Sequence, residues 1–237
     1  MSKTYFQFKQ FGVTQEKSAM KISTDAVVLG AISGKGTVDR ILDIGLGTGV
    51  VALMLAQRFR EARITGVELD QEAWAEACTN AANSPWVNRM DFKQIAFQDF
   101  FGSCADKFDL IVSNPPYFPD HLKSKDVQRN LALHNDALPF AELAEGVSKL
   151  LSSDGQFWVI LPPRQMDELE TEASIKGLYP NFRLELKDRE DKPLLRVVQS
   201  FGWQTKNISI NHLNIKDTEN KYSSEYSKLL ADFLLIF

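Results

Sequence analysis

The chain has 237 residues, of which 27 are basic and 31 acidic, so its formal net charge is −4. This length and 44% apolar residues are sufficient for one packed domain and exclude a disordered chain. The acidic balance argues against a protein that coats nucleic acid non-specifically, although a local basic patch stays compatible with it.

Two cysteines, Cys78 and Cys104, are too few for a disulfide framework, and no Cys/His cluster offers metal ligands. We therefore predict no metal and a reducing, cytoplasmic compartment. The N-terminus lacks the continuous apolar core of a signal peptide, and the longest strongly apolar run, 229–237, has about half the length of a membrane span. Neither export nor a membrane partner is predicted.

From residue 40 onward, β-rich apolar runs alternate with segments of helical period. The predicted strands are 41–45, 64–68, 90–95, 108–113 and 156–161, and the predicted helices are 24–32, 50–59, 71–83 and 140–151, the last closed by Asp154-Gly155. Two further runs, 182–186 and 194–201, predict an antiparallel hairpin at one edge. The pattern predicts an α/β fold with a seven-stranded, mostly parallel sheet and helices on both faces. We interpret 1–237 as a single domain, with 1–39 as an elaboration of a 40–237 catalytic core.

A glycine-rich loop, Asp43-Ile-Gly45-Leu-Gly47-Thr48-Gly49, lies where the first parallel strand turns into a helix. Glycines there let a ligand approach the backbone, and the free N–H groups of the helix start face that ligand. The GxGxG spacing, followed by Val50, departs from the GxGxxG of NAD-binding loops. The second strand ends in Glu68-Leu69-Asp70, where an acid is sited to bind ribose hydroxyls. A nucleotide-like cofactor with a vicinal diol is thus predicted.

These two motifs resemble those of the Rossmann-like, class I S-adenosylmethionine-dependent methyltransferases, which implies that fold and S-adenosylmethionine as the cofactor. In that family the first acid, here Asp43, lies near the charged methionine end of the cofactor, and the acid after strand two, here Glu68, binds ribose. An acid after strand three contacts the adenine amino group, a role that falls to Asp99, with Phe100 packing against the adenine face. The cofactor-binding residues implied are Asp43, Gly45, Gly47, Thr48, Gly49, Glu68, Asp70, Asp99 and Phe100.

The strand 108–113 runs directly into the tetrapeptide Asn114-Pro115-Pro116-Tyr117. An NH₂ group conjugated to a ring or carbonyl is a poor nucleophile, and two acceptors on its hydrogens would aim its lone pair at a methyl group. The Asn114 side-chain oxygen and the Pro115 carbonyl can each accept one hydrogen, and Tyr117 can stack on the planar group. The tetrapeptide resembles the N-P-P-Y motif of methyltransferases that act on NH₂ groups. The catalytic residues are therefore Asn114, Pro115, Pro116 and Tyr117.

The tetrapeptide leaves the substrate open among adenine N6 in DNA or RNA, guanine N2 in RNA and a glutamine amide in a protein. A base must be unstacked or flipped to reach such a pocket. The chain has no room before Asp43 for the N-terminal domain of the glutamine-modifying enzymes, and no insertion as large as a DNA target-recognition domain. Rivals of other classes are a non-catalytic RNA-binding module, against which the intact motifs argue, and an NAD oxidoreductase, against which the loop spacing argues.

The segment 8–31 has an aromatic-rich start and the run Met20-Lys21-Ile22-Ser23-Thr24-Asp25. It resembles the opening of the bacterial tRNA1(Val) adenine-37 N6-methyltransferases, and the resemblance covers essentially the whole chain. It implies N6 methylation of adenine 37, beside the anticodon, with tRNA as the partner. In this fold the segment lies over the cofactor as a partial lid, which adds Lys21 and Thr24 to the cofactor-binding residues.

Basic charge is concentrated in three segments. Residues 1–40 contain six basic and three acidic residues, 183–206 six and four, and 120–130 three and two, so together they carry +6 and the remainder −10. We expect these segments near the active face, where they would contact phosphates. The predicted substrate-binding residues are Phe118, Lys123, Lys125, Arg129, Arg189 and Lys192. His134 is assigned a structural role rather than a phosphate contact, and we expect a monomer.

Overall fold

A computed structural model describes residues 4–18, 21–116, 138–205 and 207–237. The strands are β1 Tyr5–Gln7, β2 Gly12–Thr14, β3 Arg40–Ile44, β4 Arg63–Glu68, β5 Met90–Gln94, β6 Phe108–Ser113, β7 Leu151–Leu161, β8 Tyr179–Lys187, β9 Leu194–Gly202 and β10 Ile210–Asn214. The helices are α1 Thr24–Ile32, α2 Val50–Arg58, α3 Gln71–Ala82, α4 Phe97–Ser103, α5 Phe140–Leu150, α6 Pro163–Ile175 and α7 Ser224–Leu230, with a short 3₁₀ turn at Val87–Arg89.

The main sheet has the strand order β10-β8-β9-β7-β6-β3-β4-β5. Strands β3 to β7 pair in parallel, β9 is antiparallel to both β7 and β8, and β10 pairs in parallel with β8. The α/β fold class, the mostly parallel sheet and the antiparallel β8/β9 pair are thereby confirmed. Because β3 lies between β4 and β6, the carboxyl ends of these three strands meet at one edge, where ligands bind in such sheets.

Among the described residues the main sheet has eight strands rather than the predicted seven. The additional strand is β10, which extends the sheet beyond the hairpin and pairs with β8 alone. Its first three residues are exposed, so it lacks the apolar run by which the other strands were predicted.

The predicted closure of the helix 140–151 at Asp154-Gly155 is wrong. Helix α5 ends at Leu150, and β7 begins at the next residue. The pairing of β6 with β7 shifts between Phe108 opposite Leu151 and Leu110 opposite Gln156, so 152–155 form an irregularity within the strand. A Cβ added to Gly155 would lie 2.8 Å from the Leu151 side chain and 3.0 Å from the Phe108 carbonyl oxygen, so glycine permits this close approach.

Two apolar clusters cover the two faces of the sheet, because successive strand residues alternate between them. Ile41 and Leu110 belong to the cluster that includes α1, α2 and α7, whereas Leu42 and Ile111 belong to the cluster that includes α4, α5 and α6. Phe8, beside the β1/β2 hairpin, shares the first cluster. The single-domain interpretation stays a prediction. In the described part of the chain, no helix is long and apolar enough to cross a membrane.

Candidate functional site

The glycine loop between β3 and α2 leaves open space above its backbone. Gly45 and Gly47 have positive φ angles of 76° and 53°, and a Cβ added at either position would meet nothing within 4 Å. The φ angles explain why glycine is required, since other residues rarely adopt this conformation. Thr48, in the same loop, is buried. The loop thus offers backbone contact to a ligand beside the N-terminus of α2.

Asp43 is a buried carboxyl on β3, only 2% exposed. Its Oδ2 atom has no hydrogen-bond partner among the described residues. Burial raises its pKa well above the usual value and the charge of Glu68 raises it further, whereas a hydrogen bond from the Ala52 backbone N–H acts in the opposite direction. Such an unsatisfied oxygen is costly in the free protein. A cationic ligand group at this point would compensate for it.

Glu68 ends β4 and reaches across to the glycine loop. Its Oε2 accepts a hydrogen bond from the Gly47 N–H at 2.8 Å, and its Oε1 accepts one from the Asp70 N–H at 3.0 Å. The side chain is half-buried. Asp70 caps α3, because its Oδ1 accepts a hydrogen bond from the Ala73 N–H at 2.7 Å. Glu68 is therefore placed beside the loop as predicted for a ribose-binding acid, and Asp70 has a structural task.

Leu69 lies between these two acids and is 57% exposed. Its exposed side chain can offer an apolar surface to a ligand at the neighbouring glycine loop. Leu69 was not among the predicted site residues, although an apolar residue between two acids at a strand end is a visible signal.

Asn114 and Pro115 follow directly on β6. Ser113 and Val67 are both in register with Ile44, and the Ser113 Oγ donates a hydrogen bond to the Ile44 carbonyl at 2.9 Å. The glycine loop, Glu68 and Asn114 therefore lie at the carboxyl ends of three adjacent strands, β3, β4 and β6. Neighbouring strands are about 4.8 Å apart. Asn114 is half-buried, Pro115 buried and Pro116 exposed. The predicted residues Tyr117, Phe118, Lys123, Lys125, Arg129 and His134 lie outside the described residues.

The acid after strand three lies on α4. Asp99 is in the first turn of that helix and exposed. Phe100 is 5% exposed and packs in the core, with its ring centroid 6.4 Å from that of Phe108. The structure therefore leaves Asp99 accessible but does not bring Phe100 to the open edge.

Helix α1 is fixed at its start by contacts to late parts of the chain. Ser23 caps it, and Thr24 shares a hydrogen bond with the phenol of Tyr226 on α7. The buried Asp25 pairs with Arg196 of β9 at 2.6 Å. Lys21 is exposed just before the helix. These contacts anchor the predicted lid segment, and cofactor contacts of Lys21 and Thr24 stay predictions.

The basic residues of these segments lie at both edges of the sheet, and several of them form ion pairs with nearby acidic residues. Arg40 begins β3 and so lies at the edge opposite the glycine loop, where it pairs with Asp106. Arg189 and Lys192 follow β8 at the loop-bearing edge, about 15 Å from β6 by the strand spacing, and both pair with Asp191. The expectation that all three segments face the site is therefore wrong for Arg40, because strand direction, not sequence distance, sets the edge.

Among the described residues no group of His, Cys, Asp and Glu side chains could hold a metal ion. The donor set at the strand edge instead fits a nucleoside with a cationic substituent: a buried carboxylate oxygen without a partner, a glycine cradle, and a carboxylate beside it. Two further buried polar residues of α3, Glu76 and Asn80, contact the N-terminal segment and the loop. Sequence reasoning missed both.

The Methyltransferase small domain family matches residues 23–169. A tRNA1(Val) (adenine(37)-N6)-methyltransferase from Bacteroides fragilis is 44% identical to this chain, with 99% of each chain covered. A protein of the same description from Pedobacter heparinus is 41% identical, with 99% of this chain and 100% of the relative covered. Among solved structures, a predicted O-methyltransferase from Agrobacterium tumefaciens gives a TM-score of 0.66 at 19% identity, over 88% of this chain and 96% of that chain. This structural likeness shows the fold alone.

Proposed function

Because the chain belongs to the tRNA1(Val) (adenine(37)-N6)-methyltransferase family, we propose that it methylates the exocyclic N6 amine of adenine 37 in tRNA1(Val) with S-adenosylmethionine as the methyl donor. The observation that carries the proposal is the position of Asn114-Pro115. They follow the strand next to the one that bears the glycine loop, so an amine acceptor pair lies beside a cofactor cradle. An enzyme that methylates an NH₂ group needs both at one edge.

The chain's own residues divide into two tasks. The Asn114 side-chain oxygen and the Pro115 carbonyl accept the two hydrogens of the adenine amine and direct its lone pair. Proline has no N–H, so Pro115 and Pro116 keep donors away from this part of the pocket. Adenine 37 must be turned out of its stack to reach Asn114, which is half-buried.

The cofactor residues act by charge and shape. Bound S-adenosylmethionine supplies an electrophilic methyl group on a sulfonium. The Asp43 carboxyl would supply a negative charge to a cationic ligand group, Gly45 and Gly47 leave room for that group, and Glu68 accepts hydrogen bonds from ribose hydroxyls. Leu69 offers an apolar surface to a planar base.

We also propose that tRNA is the macromolecular partner and that the protein acts in the cytoplasm, where tRNA is modified. We propose that it acts as a monomer. Arg189 and Lys192 both form ion pairs with Asp191, which reduces their attraction for tRNA phosphates. Recognition then depends mainly on the shape of the tRNA and on the flipped base.

The test is incubation of the protein with isotope-labelled S-adenosylmethionine and tRNA from a bacterium that lacks this activity. Mass spectrometry of individual tRNA species should find labelled N6-methyladenine in tRNA1(Val), at position 37. A matched tRNA1(Val) transcript with guanine in place of adenine 37 should take up no label. Label in N2-methylguanine, in protein or in no product would contradict the proposal.

A further inference from the structure

Helix α3 presents two buried polar side chains, one turn apart, to the N-terminal segment. Glu76 is 6% exposed and Asn80 is 2% exposed. A charged side chain is rarely buried unless its oxygens are satisfied, so their partners indicate what the helix holds. The partners are backbone groups of residues 14–18, about sixty residues earlier in the chain, and of Thr48.

The Glu76 carboxylate accepts hydrogen bonds from three consecutive backbone N–H groups. Its Oε1 accepts from Glu16 at 2.5 Å and from Lys17 at 3.1 Å, and its Oε2 accepts from Ser18 at 3.0 Å. Burial raises the pKa of Glu76, but the hydrogen bonds from residues 16–18 outweigh it and the pKa lies below the usual value. The carboxylate is therefore ionised at neutral pH and acts as an anion bound in a loop of N–H donors.

Asn80 connects the same segment to the glycine loop. Its Oδ1 accepts a hydrogen bond from the Thr14 N–H at 2.8 Å, and its Nδ2 donates to the Thr14 carbonyl at 2.9 Å. The same Nδ2 donates to the Thr48 carbonyl at 2.9 Å, between Gly47 and Gly49. One amide thus fixes the distance between the end of β2 and the cofactor cradle.

The segment then leads toward α1. The Gln15 side-chain oxygen accepts a hydrogen bond from the Ile22 N–H at 2.8 Å, so Ile22, two residues before the start of α1, lies beside Gln15. Lys21 is the neighbour of Ile22. Contacts that hold residues 14–18 in place therefore also hold Ile22, which precedes α1.

We infer that Glu76 and Asn80 are positioning residues that tether residues 14–18 to the glycine loop and thereby set the affinity for the cofactor. The inference rests on the proposed function in one respect, namely that the ligand of the glycine loop is S-adenosylmethionine. Both side chains act through the segment 14–18, and Asn80 acts in addition through Thr48.

The discriminating variant is Glu76→Gln, which keeps the size of the side chain but replaces one acceptor oxygen with an NH₂ group that faces N–H donors. Loss of hydrogen bonds to a charged group of this kind should raise the dissociation constant for S-adenosylmethionine about tenfold or more, measured by calorimetry without tRNA. The KM for S-adenosylmethionine should rise similarly while kcat at saturation is retained. Trypsin should cleave after Lys17 faster than in the wild type.

The matched control is Glu72→Gln, the same substitution one turn earlier, at an exposed position in the first turn of α3. It should leave the dissociation constant and the cleavage rate unchanged. A Glu76→Gln protein that is cleaved faster at Lys17 yet binds S-adenosylmethionine as the wild type does would overturn the inference.

Hydrogen exchange on the wild-type protein tests the same coupling without a variant that could misfold. Saturating S-adenosylmethionine should slow exchange of the amides of residues 16–18 further, and unchanged exchange at saturation would overturn the inference. Methylation of tRNA is assayed in parallel. Cofactor binding without tRNA methylation would contradict the proposed function while the exchange result still decides on the tether.

Discussion

Replacing Asp43 with asparagine should stabilise the free protein and weaken its cofactor binding at the same time. The change keeps an oxygen for the Ala52 N–H and removes a charge whose Oδ2 has no partner among the described residues. Because the folded-state pKa of Asp43 lies above its unfolded value, the carboxyl's contribution to stability is present below the unfolded pKa and lost as pH rises through the folded pKa. The gain from Asp43→Asn should therefore be greatest at high pH.

Neither Oδ2 nor the NH₂ group that replaces it has a partner among the described residues, so the magnitude is set by the difference between burying a charged and a neutral group, on the order of 1–3 kcal/mol. At pH 8 we expect the free energy of unfolding of Asp43→Asn to exceed that of the wild type by up to this amount, or about 2–4 °C in Tm for each kcal/mol in a chain of this size. The gain should shrink as the pH approaches the unfolded value. Urea unfolding at several pH values measures it, and the exposed Asp167→Asn on α6 is the control.

Cofactor binding should move in the opposite direction. Loss of a charged partner for a cationic ligand group should weaken S-adenosylmethionine binding about tenfold or more, measured by calorimetry. An Asp43→Asn protein that is less stable than the wild type at pH 8, or that binds S-adenosylmethionine equally well, would refute the reasoning that the carboxylate is kept buried for the cofactor.

Three further substitutions separate catalysis, cofactor contact and folding. Asn114→Ala should lower kcat about 10²–10³-fold, the usual effect of removing one transition-state hydrogen-bonding group, while calorimetry finds S-adenosylmethionine binding unchanged; retained turnover would contradict the acceptor role. Leu69→Ala should weaken S-adenosylmethionine binding several-fold with little change in Tm, since its side chain is already exposed; a large loss of Tm would show a packing role instead. Asp25→Asn should lower the free energy of unfolding, measured by urea titration, by about 2–3 kcal/mol, because the largely buried Arg196 then loses its charged partner Asp25. The control is Glu219→Gln, which breaks the exposed pair with Lys221 and should change the free energy of unfolding by less than about 0.5 kcal/mol.

Strands that are buried on both faces were predictable because their sequences contain short apolar runs, such as residues 110–112 of β6. Strand β10 and helix α6 were not. The first is an exposed edge strand, and the second begins at Pro162-Pro163, directly after the predicted strand 156–161. Proline is well suited to the first turn of a helix, so the same residues end β7 and start α6.

The placement of the two motifs at adjacent strand ends was predictable for a different reason. The glycine loop and Asn114-Pro115 are local motifs, and parallel strands bring their carboxyl ends together whatever lies between them. Charge was less predictable, because a count along the sequence ignores strand direction and pairing. Arg40 begins a strand and so points to the far edge, and Arg189 is paired with Asp191.

The residues proposed to bind the cofactor can be compared with those proposed to position them. Gly45 adopts a conformation that other residues avoid, Asp43 is a buried acid with an unsatisfied oxygen, and Leu69 is an apolar side chain in water. Asp43 is unfavourable in the free protein and would be compensated by a cationic ligand group, whereas Gly45 is the residue type suited to a positive φ and is visible in the sequence as part of a motif. Glu76 and Asn80 are fully engaged with backbone groups of the same chain and break no local rule. A helix that carries them is indistinguishable in sequence from one with a solvated polar face, which is why the tether is visible only in three dimensions.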